Sequence, residues 1–64
     1  MEIMLVKTIT DTESGRKWEI YKETDETYSY KYFEFYKSVG WWQISGEIGY
    51  TQEAIEWQFD IKVA

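Results

Sequence analysis

The stretch AIEWQFDIKVA, residues 54–64, alternates apolar and polar side chains without interruption. Its apolar members are Ile55, Trp57, Phe59, Ile61 and Val63. Side chains of an extended strand point to opposite faces with a period of two, whereas helical steps of about 100° would separate Ile55 from Trp57. The pattern predicts a final strand over residues 55–63 with Ile55, Trp57, Phe59 and Ile61 facing inward. A Trp57→Ala substitution would then cost about 3–5 kcal/mol.

Thr51 supports a different local structure just before this stretch. A threonine is a good N-cap, so Thr51 can begin a helical turn over residues 52–55. The alternative fold is therefore a four-stranded sheet plus a short helix near residues 51–58. The unbroken alternation favours the strand.

Four further segments have the composition of strands: residues 2–10, 16–23, 27–37 and 41–48. Turn-forming residues separate them, with Gly15 and Gly40 in two of the turns. Gly46, inside the fourth segment, indicates a bulge or a close backbone approach. Five short strands joined by short loops predict one all-β domain over residues 1–64. We expect a five-stranded, mostly antiparallel meander that curls into a small SH3-like or half-open barrel.

Residues 27–37 carry aromatic side chains at both even and odd positions. The even ones are Tyr28, Tyr30, Tyr32 and Tyr36, and the odd ones are at positions 33 and 35. Two structures explain this pattern. A β-bulge near residues 32–33 would move the inward register from even to odd positions. Otherwise the strand has aromatic rings on both faces, one of which is an interface.

The residue types that are absent exclude much chemistry. The chain has no Cys and no His, and therefore no disulfide, no thiol nucleophile, no imidazole metal ligand and no histidine general base. Its glycines do not form a phosphate-binding loop. We expect no catalytic residues, no cofactor, no metal site and no enzyme activity. With no signal peptide and no spanning segment visible, we expect a soluble cytoplasmic protein without membrane contact.

Charge and aromatic content indicate a binding protein. Twelve acidic against seven basic residues give a net charge of −5, which disfavours contact with phosphate backbones and favours a partner with a basic surface. Four Trp, six Tyr and three Phe are more rings than so small a domain can bury. Rings left at the surface are typical of interface hot spots.

We therefore predict a non-catalytic protein-binding module, a small acidic inhibitor or adaptor of the kind that phages and mobile elements encode. Its partner is a basic protein surface, and a homodimer would also cover surplus aromatic area. The alternative is a single-stranded nucleic-acid or carbohydrate binder that uses the same rings. The predicted contact residues are Tyr28, Tyr30, Tyr32, Tyr36, Trp41, Trp42, Glu19, Glu23 and Glu34.

Overall fold

The computed structural model describes residues 2–63 and has a four-stranded antiparallel sheet followed by one helix. The strands are β1 (Met4–Asp11), β2 (Arg16–Lys22), β3 (Tyr28–Tyr36) and β4 (Gly40–Tyr50), and the helix is α1 (Gln52–Phe59). The strands lie in chain order, β1-β2-β3-β4, so that every connection joins neighbours. The first four predicted strands are therefore confirmed, with ends that differ by at most two residues.

The prediction of a fifth strand is wrong, and with it the small barrel. Residues 52–59 form α1, as in the alternative fold. The Thr51 hydroxyl accepts a hydrogen bond from the backbone N–H of Ala54 at 3.1 Å, which satisfies one of the free donors of the first turn. At the other end Asp60 adopts the left-handed conformation, with φ of 54°, and its N–H bonds to the carbonyl of Glu56.

The alternating pattern comes from two separate segments. Ile55 and Phe59 are four residues apart and share one face of α1, whereas Ile61 and Val63 follow the helix and pack against the same core. Trp57 is 84% exposed on the outer side of α1. The predicted inward position of Trp57 is therefore wrong, and its truncation should not cost what a core tryptophan would.

The core is small. Ile20 of β2, Tyr28 of β3 and Ile55 of α1 are its buried members. Half-buried apolar side chains surround them: Val6, Ile9, Tyr30, Tyr50, Phe59, Ile61 and Val63. The face of the sheet on which α1 packs is called the covered face below, and the opposite one the open face.

Strand β3 has aromatic rings on both faces. It pairs with β2 without a break, so Tyr30 and Tyr32 lie beside Ile20 and Trp18 on the covered face, and Phe33 lies on the open face. The register shift next to Tyr32 is in β4, which contributes one extra residue there. The bulge predicted in β3 near residues 32–33 is therefore wrong: β3 keeps its register, and its rings lie on both faces, as in the second explanation.

Gly46 of β4 marks a close backbone approach, as the sequence predicts. A Cβ atom at this position would lie 2.7 Å from the carbonyl oxygen of Tyr30 on β3. Any larger residue would therefore push the two strands apart.

Candidate functional site

Helix α1 covers only part of its face. Together with the C-terminal residues it packs near Ile20, Tyr28 and Tyr30, toward the β2–β3 turn. The half of the covered face toward the β1–β2 and β3–β4 turns has no such layer. Four side chains there define what we call the helix-side patch: Tyr32, Glu34, Tyr36 and Trp42. Tyr36 is 45% exposed and Trp42 is 58% exposed, so two large rings of this patch are open to contact.

Glu34 organises the helix-side patch. Its carboxylate accepts hydrogen bonds from the Tyr32 hydroxyl at 2.7 Å and from the Tyr36 hydroxyl at 3.0 Å. Trp42 occupies the position opposite Glu34 on β4. The Tyr32 ring also packs on Trp18, with centroids 5.1 Å apart and planes tilted by 34°. The patch is thus a set of rings whose orientation is fixed by one carboxylate and by cross-strand packing.

The same hydrogen bonds set the charge of the patch. Donation from Tyr32 and then from Tyr36 holds the pKa of the Glu34 carboxyl below its usual value of 4.5, and the nearby Arg16 charge acts in the same direction. In return, the bond to Glu34 raises the pKa of both tyrosine hydroxyls. Near neutral pH the patch therefore has one negative charge and two neutral phenols.

Glu34 takes no part in the ion pairs of the described residues. These pairs join Lys17 to Glu19 at 3.5 Å and Lys22 to Glu26 at 3.0 Å. The Glu34 charge is therefore compensated by hydrogen bonds within the chain and not by a contacting cation.

The open face is organised differently, around Lys17. The Lys17 ammonium lies 4.7 Å from the centre of the Phe33 ring and 4.9 Å from that of Trp41, in cation–π geometry. It is also 3.5 Å from the Glu19 carboxylate. Phe35 packs edge-on against Trp41, with centroids 5.4 Å apart.

A second cation–π contact lies beside the first on the open face. The Lys31 ammonium is 5.0 Å from the centre of the Tyr21 ring. The Tyr21 hydroxyl donates to Glu19 at 2.6 Å, and this bond raises the pKa of Tyr21 to about 12. The charged groups of the open face thus contact one another and the rings between them.

Two of the predicted contact residues lie in the core. Tyr28 is only 3% exposed, so the prediction that its ring meets a partner is wrong for this structure. Tyr30 is half-buried between Phe59 and Tyr50, at centroid distances of 5.2 and 5.8 Å, and its hydroxyl donates to Glu47 at 2.7 Å. Both rings are covered because α1 and the C-terminal residues fold over this end of the sheet.

The other predicted residues divide between the two faces. Tyr32, Glu34, Tyr36 and Trp42 come together in the helix-side patch. Trp41 and Glu19 lie on the open face, so the rings of the adjacent Trp41 and Trp42 point to opposite sides of the sheet, as the period of two requires. Glu23 lies just after β2, and its carboxylate accepts the Ser29 hydroxyl at 2.7 Å.

Sequence reasoning missed the cationic residues of the open face. Lys31 is at an odd position of β3, like Phe33, so the alternation of β3 alone places both on one side of the sheet. Lys17 lies on β2, and its side follows only from the pairing of the two strands. What the sequence did not supply was the cross-strand register that sets Lys17 opposite Phe33 and Lys31 opposite Glu19. Without that register, the sequence shows only that the lysines are interleaved with glutamates, which does not predict a basic stripe.

The described part of the chain has neither a cluster of metal-ligating side chains nor a membrane-spanning helix. Among residues 2–63 no three acidic side chains are grouped so that they could hold a metal ion. No helix in this range is both long enough and apolar enough to cross a membrane. Comparison of the chain with protein-family models, with curated proteins and with solved structures finds no significant match.

Proposed function

We propose that this protein is a non-catalytic binding module, an inhibitor or adaptor that engages a basic surface of another protein through the helix-side patch. The observation that carries the proposal is the arrangement around Glu34. An ionised carboxylate is held between two tyrosine hydroxyls and next to a tryptophan that is more than half exposed.

The chemistry of the patch suits an arginine or lysine side chain. A guanidinium can stack on the exposed Trp42 ring and, at the same time, donate hydrogen bonds to the free lone pairs of Glu34. Because Tyr32 and Tyr36 already fix the carboxylate, little conformational entropy would be lost on binding. Large rigid rings beside a charged group are also the residue types that dominate interface energies.

The net charge of −5 supports the same partner. An acidic protein attracts a basic surface at long range and repels polyanions, so it should associate faster with basic proteins at low salt. The rings would then provide affinity, and the carboxylates would provide steering and salt dependence.

The rival function is the stacking of nucleic-acid bases or sugars on aromatic rings, and the open face is its natural platform. There, however, the lysine ammoniums already lie over the Phe33 and Tyr21 rings, and Lys17 is engaged with Glu19 as well. Bases need free ring faces and a basic groove. The arrangement of the open face meets neither of these two needs.

The experiment compares capture of partners from a lysate by the wild type and by a Tyr36→Ala/Trp42→Ala double variant. Both rings are substantially exposed, so the variant should fold. We expect a specific protein that is retained by the wild type, lost with the double variant and unaffected by nuclease. Glu34→Gln keeps the shape of the side chain and removes its charge, so it should weaken binding most at low salt.

Trp57→Ala is the matched control, because Trp57 is an exposed tryptophan on the outer side of α1, away from the patch. It should bind like the wild type. Retained material that is RNA, DNA or glycan would instead support the rival function. Binding that survives the loss of both Tyr36 and Trp42 would contradict the helix-side patch as the site.

A further inference from the structure

Among residues 2–63 no element packs on the open face, although this face carries rings that a sheet normally buries. Four side chains form its centre, and they lie as cross-strand pairs on β2 and β3: Lys17 beside Phe33, and Glu19 beside Lys31. The accessible surface of the chain is 4808 Å². A folded monomer of 7.8 kDa should expose about 4,400 Å². The excess indicates a monomer that is incompletely covered.

We propose that the open face is the interface of a symmetric homodimer, in which two sheets pack face to face. The two-fold axis runs parallel to the strands, midway between β2 and β3, and lies between the two sheets. Aligned packing of two twisted sheets, at about 30° and about 10 Å apart, is the ordinary way to bury such a face. This inference concerns a different face from the helix-side patch and does not depend on the proposed function.

Charge complementarity is the first argument for a second copy. The proposed axis exchanges β2 with β3 at each level of the sheet. Glu19 therefore lies over the second copy's Lys31, and Lys31 over the second copy's Glu19, because these two residues are cross-strand partners within one chain. By the same operation Lys17 lies over the second copy's Phe33 ring. Each cross-strand pair joins two groups that attract each other, and the axis places each group over its pair member in the second copy. The open face is therefore complementary to a second open face.

Shape complementarity is the second argument. Phe35 bonds through its N–H to the carbonyl of Gly15 and faces Trp41 on β4, so these residues share one level of the sheet. A cleft of about 230 Å³ opens at this level, between the two rings on one side and Thr12 and Gly15 on the other. The axis places the second copy's Phe35 above Gly15, where the chain has no side chain. The largest rings thus lie over the smallest residues.

The available area also fits a dimer, though a weak one. Four strands about 4.8 Å apart, each with some eight residues rising about 3.3 Å, present a face of roughly 500 Å². Two such faces remove about 1,000 Å² from water, which is the lower end for specific interfaces. We therefore expect dissociation in the micromolar range and not a permanent dimer.

Crosslinking tests the register of this dimer, and the chain has no native cysteine to interfere. Thr10 and Gln43 lie at the same level on the two edge strands, at opposite ends of the row that includes Lys17 and Phe33. The axis brings Thr10 of one copy over Gln43 of the other. In contrast, two copies of the same position are offset by three strand spacings, about 14 Å, across a sheet gap of about 10 Å, which places them about 17 Å apart.

A mixture of Thr10→Cys and Gln43→Cys chains, one of them tagged, should therefore give the mixed crosslink with a short bismaleimide. Each variant alone should give far less product. Equal crosslinking in mixed and unmixed samples would overturn the proposed axis, and no crosslink in any sample would overturn the dimer.

Sedimentation equilibrium from micromolar to millimolar concentration measures the strength of association. Phe35→Ala, at a half-exposed position, should weaken it about tenfold if this ring fills the cleft of the second copy. Trp57 and Trp42 lie outside the open face, so Trp57→Ala and Trp42→Ala should leave the strength of association unchanged. The proposal would be overturned if the wild type stayed monomeric, or if Phe35→Ala did not change the strength of association. Either result is independent of the outcome for the helix-side patch.

Discussion

Two single substitutions in α1, Ile55→Ala and Trp57→Ala, distinguish the helix from the extended strand that the alternating pattern suggests. In a strand both side chains would lie on one face, and both truncations would be costly. In the helix two steps of about 100° separate them, so that Ile55 faces the core and Trp57 faces solvent. The ratio of the two costs therefore reports the conformation of the segment.

The magnitudes follow from burial. Ile55 is fully buried and packs with Ile20 and Tyr28. Ile55→Ala removes three carbons at about 0.8 kcal/mol each and leaves a cavity, which places the cost at about 2–5 kcal/mol. At about 0.05–0.15 kcal/mol per residue the whole domain has only some 3–10 kcal/mol, so Ile55→Ala should remove between about a fifth of that stability and all of it. Trp57→Ala should change the free energy of unfolding by less than about 0.5 kcal/mol, since alanine is also the better helix former.

Urea unfolding followed by far-ultraviolet circular dichroism is the suitable assay, because Trp57→Ala removes one of four tryptophans and would change a fluorescence signal without any change in stability. The transition midpoints of the wild type and the two variants give the comparison. Equal losses for Ile55→Ala and Trp57→Ala would refute the helix and restore the strand. A large loss for Trp57→Ala alone would mean that the described core is wrong.

Two further predictions concern the cap and the phenols. Thr51→Ala should cost about 1 kcal/mol in urea unfolding, because it removes the acceptor for the Ala54 N–H, whereas Thr51→Ser should keep most of the stability. Hydrogen bonds to Glu19 and Glu47 raise the pKa of Tyr21 and of Tyr30 to about 12, from 10.0. The folded state thus holds these protons more tightly than the unfolded state, and the stability they contribute is present below pH 10 and is lost as the pH rises toward 12. Circular dichroism across this range should show that loss. With Tyr21→Phe, the free energy of unfolding should fall less steeply with pH.

The sequence contains part of the signal for α1, and the alternation that favours a strand there has a clear physical cause. Thr51 was a recognisable cap, and Ile55 with Phe59 fits a helical spacing as well as an alternating one. Trp57 made the alternation look complete, but it is an exposed tryptophan with no packing role. The end of the helix was harder to see, because Asp60 takes a left-handed conformation that is far commoner for glycine.

The candidate site was foreseeable in composition but not in arrangement. The aromatic positions of β3 and the opposite directions of Trp41 and Trp42 follow from a period of two. That α1 would cover Tyr28 and Tyr30 but leave Tyr32 and Tyr36 free depends on where the helix comes to lie, which is a tertiary property. The same holds for Lys17, whose meaning depends on the register between three strands.

The size of the helix explains why both surfaces exist. Eight helical residues extend about 12 Å, whereas nine residues of β3 extend about 30 Å. One such helix cannot cover even one face of the sheet, so α1 leaves half of the covered face and the entire open face uncovered. Tyr32 and Tyr36 bond to Glu34, and the lysines of the open face lie over rings, which stabilises these surfaces without hiding them.

The two proposed surfaces are compatible because they lie on opposite sides of one sheet. A dimer that joins two open faces directs both helix-side patches outward, on opposite sides of the assembly. Each patch has its own Glu34 and Trp42, so a partner with repeated basic segments would be held at two points, and the second contact would benefit from a raised effective concentration. Binding to such a partner should therefore weaken when Phe35→Ala separates the dimer, although Phe35 does not touch the patch. Binding to a partner with a single basic segment should not change.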